Sequence, residues 1–162
     1  RPTEMPSSCT IFICGILTTL LCAVLLVATP SYADERLARL HSAKTLRCAF
    51  SIGSSADSRR GDLKPSIEAS SMVFVFDSID LQESSARAVG SQGSSNEIAL
   101  RTPSGITFIE KTNTGNHVFT TVFSGSGNTS LAFHAVTSRH MEMMGVVVVS
   151  QWYGACEILP SQ

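Results

Sequence analysis

The sequence predicts an all-β domain: a single small antiparallel up-and-down barrel of eight or nine strands, preceded by a short helical N-terminal segment. Three observations predict it. Beyond Lys44 the apolar pattern repeats every two residues, not every 3.6. Strand-like runs recur at short intervals between clusters of Gly, Ser, Asn and Pro. No stretch in that region is long enough for the helical crossover that a parallel sheet requires. A β-sandwich is the alternative arrangement of the same strands.

The elements follow in order. From Met5 to Ala33 there is no charged residue, and Ile11 to Ala28 is nearly all apolar. Pro30 and the small residues Ser31 and Ala33 then precede Asp34-Glu35. This pattern predicts a signal peptide over residues 1–33, cut after Ala33, leaving one domain over 34–162 in the periplasm or the medium. The alternative is an anchor formed by residues 11–28, a length at the threshold for spanning a bilayer. Membrane contact is expected only if that leader stays uncleaved. A lipid anchor is disfavoured, since Leu21 precedes Cys22 and Ile13 precedes Cys14, where a small residue is needed.

Asp34–Ala43 reads as one or two helical turns, with Leu37, Leu40 and His41 on one face and a Glu35–Arg39 pair at i,i+4. The strand candidates are Thr45–Ile52, Leu63–Ala69, Met72–Asp77, Ser85–Gly90, Glu97–Thr102, Ile106–Lys111, His117–Phe123, Ser130–Ser138, Gly145–Val149 and Gln151–Leu159. Pro65 marks the second as an edge. Thr102-Pro103-Ser104-Gly105 carries a type I turn signal, and Asn113-Thr114-Gly115-Asn116 and Ser124–Asn128 turn the chain again. Gly53–Gly61 and Ser91–Ser95 read as loops.

Three cysteines lie in the leader, and only Cys48 and Cys156 remain beyond it. Two cysteines in an exported chain predict one disulfide. It would close a loop of roughly a hundred residues, worth about 4.7 kcal/mol in the chain-entropy description. Because the bridge brings the two Cα atoms within about 7 Å, it also predicts that the first and last strands are neighbours, which is barrel closure.

Lys+Arg 12 against Asp+Glu 13 gives a formal net charge of -1, which excludes a polybasic nucleic-acid binder. There is no Walker or dinucleotide motif, no nucleophile elbow and no calcium loop, and no cofactor is expected. Asp77, Asp80 and Glu83 read as a solvated hairpin. His134 and His140 share a strand face about 20 Å apart, too far to share a metal ion. Asn128-Thr129-Ser130 matches a glycosylation sequon.

The stretches Leu46–Phe50, Phe76–Ile79, Gly105–Glu110, Phe119–Phe123, Val136–Met141 and Gln151–Cys156 resemble a group of short exported bacterial β-rich proteins with no assigned activity. The resemblance implies a structural kinship and brings no catalytic residues with it. The architecture is also similar to lipocalin-type and periplasmic lysozyme-inhibitor barrels. The Gly-x-Trp of the first and the serine-glycine inhibitory loop of the second are absent, so that similarity implies fold alone.

Two functional classes remain. The first is a non-enzymatic module of the cell envelope that binds a small hydrophobic ligand or an envelope protein. Its candidate binding residues are Arg139, His140, Trp152 and Tyr153, and no metal is expected. The second is a small hydrolase-like enzyme in which Arg139 grips an anion and His140 acts as a general base at a barrel rim. Phe50, Phe74, Phe76, Phe108, Phe119, Phe123 and Phe133 recur where strands should face inward, either as a filled core or as the lining of an apolar pocket.

Overall fold

The computed structural model describes residues 31–112, 115–125 and 132–160. The expected leader with its three cysteines lies outside those residues apart from positions 31–33, as does the sequon at Asn128. A helix α1 (Tyr32–His41) precedes eight strands: β1 (Leu46–Asp57), β2 (Ser66–Asp80), β3 (Ser85–Gly90), β4 (Gly93–Thr102), β5 (Gly105–Lys111), β6 (His117–Phe123), β7 (Phe133–Met143) and β8 (Val146–Ile158). Each strand pairs antiparallel with its sequence neighbours, and β8 returns to β1 to close the barrel. The sandwich alternative is thereby set aside, and so is the edge expected near Pro65, because a closed barrel has no edge.

The ten runs read from the sequence resolve into eight strands. Leu63–Ala69 and Met72–Asp77 belong to the single strand β2, and Gly145–Val149 and Gln151–Leu159 to β8. The serines between those runs, Ser70-Ser71 and Ser150, stay in the extended backbone because β1 supplies ladder partners on both sides of them. The real turn between β7 and β8 is Met144-Gly145, both at positive φ (53° and 76°), the backbone required by a two-residue hairpin.

Closure is fastened covalently. Cys48 and Cys156 are register partners across the β1–β8 seam and form a disulfide, with Cα atoms 4.0 Å apart. Gly154 lies beside them because β1 passes too close for a side chain: a Cβ there would run into the Ala49 carbonyl. Two bulges adjust the alternation. One, at Phe50/Ile52, swings Gly53 inward opposite Trp152. The other, at Asp77/Asp80 with Ser78 at φ 52°, turns Ile79 into the core, where it is 1 % exposed.

One end of the barrel is full. Phe76 and Phe108 stack across the interior with ring centroids 3.9 Å apart. Phe74 meets Phe76 edge-on and stacks with Phe50. Leu46, Ile79, Ile106, Val122 and Phe133 fill the space below. The helix α1 plugs that end. It buries Leu40 completely and Arg36 almost so. Arg36 donates to the carbonyls of Ser124 (2.9 Å) and Ala132 (3.1 Å), and its guanidinium lies 4.8 Å from the Phe133 ring. The expected Glu35–Arg39 pair is not among the ion pairs of the described residues; Arg39 faces Phe133 instead. His41 Nε2 is 2.9 Å from the Gly105 carbonyl, so the last turn is tied to β5.

Not every phenylalanine faces inward. Phe119 and Phe123 stand on the outer surface at 40 % and 36 % exposed, while Val118, Thr120 and Val122 take the inner positions of β6. Both faces of His117–Phe123 carry apolar residues, so hydrophobicity alone does not set the parity of this strand.

A half-empty barrel and its charged walls

The opposite end is hollow. A cavity of about 300 Å³ runs from the aromatic stack up to the β3–β4 turn at Ser91-Gln92. Its size lies at the lower limit for small-molecule pockets. Met72, Phe74 and Val118 supply apolar wall, and charged, hydroxyl and indole side chains give the cavity its character.

Two of these are glutamates. Glu97 on β4 and Glu110 on β5 are register partners, both turned inward. Glu97 is 7 % exposed, and Ser95 Oγ donates to its Oε1 at 2.9 Å. Burial raises the Glu97 pKa from 4.5 to about 7; the Ser95 hydrogen bond opposes that rise and the neighbouring Glu110 adds to it. A carboxyl group titrating near neutrality in a cavity is a feature of functional sites.

The facing wall is built differently. Arg139 on β7 and Trp152 on β8 both point inward, and the guanidinium carbon stands 5.9 Å from the indole centroid. Trp152 has room because Gly53 opposes it: a Cβ at Gly53 would lie 2.6 Å from the indole Cδ1. Between the two walls, Thr120 donates to Thr137 at 2.8 Å. Among the described residues, only Thr102 Oγ1 and Arg139 Nε are buried side-chain polar atoms without a hydrogen-bond partner. Arg139 forms no ion pair with Glu97 or Glu110, although all three line one cavity.

Of the residues singled out from the sequence, Arg139 and Trp152 therefore meet inside the barrel. His140 and Tyr153 follow them directly on β7 and β8, and alternation sends both to the outer surface. Arg139 and His140 therefore lie on opposite faces of β7. His140 pairs across the outer face with His117, and His134 lies further along the same face. No group of three or more His, Cys, Asp or Glu among the described residues is arranged to hold a metal ion. Asp77 accepts two hydrogen bonds from Arg87, and Asp80 caps the backbone of Gln82 and Glu83, so the acidic hairpin is tied up within itself.

The glutamate pair escaped sequence reading, yet a signal was present. Thr102 and Gly105 flank the turn and pair with each other; Glu97 lies five residues before the first and Glu110 five after the second. Counting outward from that turn places the two carboxylates opposite one another on one face.

Comparisons with protein-family models, with curated proteins and with solved structures found no match.

Proposed function

We propose that the chain is a non-enzymatic envelope module that holds a small molecule inside the hollow end of its barrel. The asymmetry of the interior carries this reading. The same eight strands are filled by stacked phenylalanines at one end and leave about 300 Å³ of mixed apolar and charged space at the other. An interior serving stability alone gains by filling such space, since a void forfeits dispersion contacts. Buried carboxyl and guanidinium groups add a further desolvation cost that a purely structural core avoids.

The test is occupancy. Trp152 is the single tryptophan of the chain and lines the cavity, so its emission reports what enters. Native mass spectrometry of the exported protein should detect a co-purifying small molecule. An Ala88→Phe variant, which fills the cavity from β3, should lose it while keeping its far-UV spectrum. Equal retention by both proteins would defeat the reading.

A further inference from the structure

The chemistry of the occupant follows from how the cavity distributes its charges, and this step rests on the occupancy reading above. Glu97 and Glu110 stand side by side on β4 and β5. Arg139 stands on β7, with the inward-facing Val118 of β6 between it and Glu110. Two strand spacings separate the backbones of β5 and β7, roughly 10 Å. Arg139 lies over Trp152 on β8, the side away from the glutamates.

Opposite charges in one small cavity ordinarily neutralise each other, because an unpaired buried charge is costly. Here they remain on separate walls, and Arg139 Nε is buried without an acceptor. We propose that the cavity binds a small zwitterion: its cationic group rests on the Glu97–Glu110 wall, its anionic group accepts from Arg139 beside Trp152, and its short apolar body crosses Val118 and Phe74. Each end then completes a charge-assisted hydrogen bond that the empty protein lacks. Seating an ammonium group there requires the ionised form of Glu97, so below about pH 7 binding is coupled to release of its proton.

A series of four probes with one six-carbon body tests the assignment: ε-aminocaproate, hexylamine, hexanoate and hexanol, each titrated against Trp152 emission of the folded protein. The zwitterion should bind about tenfold or more tighter than either singly charged analogue, the scale of one added charged hydrogen bond. Glu97→Gln combined with Glu110→Gln should reduce ε-aminocaproate to the level of hexanoate, and Arg139→Met should reduce it to the level of hexylamine. Both changes are close in shape, and the probe ranking in the unaltered protein decides the matter even if a variant fails to fold. Hexanol or a singly charged probe binding as tightly as the zwitterion would overturn the charge assignment and leave the cavity reading intact. Silence from all four would overturn the assignment too, and the co-purification experiment then decides separately whether the cavity is a binding site.

Discussion

The two ends of the barrel use the same strands for opposite purposes. At the plugged end the inward positions are Leu46, Phe76, Phe108, Ile106, Val122 and Phe133, and α1 covers them with Leu40. At the open end the same strands turn Glu97, Glu110, Thr137, Arg139 and Trp152 inward. The strand ladders run from one half into the other, shifted by one residue at the Phe50/Ile52 bulge, and the halves differ in the side chains that occupy the inner positions. A barrel of eight strands has an interior just wide enough to fill or to host one small ligand. This chain does the first at one end and leaves room for the second at the other.

The strongest way to break that division is to hollow the filled end. Phe108→Ala removes one partner of the Phe76 stack at a site 1 % exposed and should cost about 3–5 kcal/mol in chemical denaturation. Val118→Ala, on the cavity wall, should cost well under half as much, because the site already borders empty space. Equal losses would mean that the two ends are equally tight.

Removing the seam comes next. Replacing Cys48 and Cys156 together by Ala should lower stability by about 2–4 kcal/mol. The loss should be the same at both ends when followed by hydrogen exchange, since the bridge closes the barrel as a whole. Alkylation of both thiols without prior reduction would remove the basis of this prediction.

The next effect is confined to the open end and depends on pH. The folded pKa of Glu97, about 7, lies above its ordinary 4.5, so the native chain holds the proton that the unfolded chain has released. The contribution of this one group is therefore fully present below about pH 4.5 and is lost as pH rises through 7, by up to about 3 kcal/mol. Glu97→Gln, which can keep a bond to Ser95, should abolish that decline. It should be close to neutral at pH 4 and stabilising at pH 8. An unchanged slope in the variant would show that the carboxyl group ionises as freely as in water.

The smallest effect belongs to the outer surface. Arg87→Ala breaks the two hydrogen bonds to Asp77, but Arg87 is half exposed, and the denaturation midpoint should hardly move. A larger loss would point to a role in holding the bulge that turns Ile79 inward.

How far each end could be read beforehand follows the same division. Turn chemistry and period-two patterning gave the strands, because Pro103-Ser104 and the runs around it act locally. The cysteine pair gave closure, because two thiols leave one pairing. The bulges at Ser51 and Ser78 were illegible: each shifts alternation by one residue, and nothing in serine-rich sequence announces it. Phe119 and Phe123 were assigned inward because both faces of β6 are apolar. At the candidate site, Arg139 and Trp152 stood out as rare residues, whereas Glu97 and Glu110 acquire meaning only through the register of β4 against β5. Neighbouring positions such as His140 and Tyr153 were grouped with them by sequence proximity, which a strand converts into opposite directions.

The seam has a topological consequence. Leu46 pairs with Ile158, Leu159 N–H donates to the Thr45 carbonyl, and the disulfide lies two residues further in, so the hydrogen-bonded ladder is a ring without a first or last member. Which strand begins the chain is then a matter of where the polypeptide happens to be cut. A circular permutant of the strands alone, joined by a short linker between 159 and 45 in place of α1 and opened within the polar loop at 58–65, would keep every strand pairing while moving the ends of the barrel from the plugged end to the rim of the cavity.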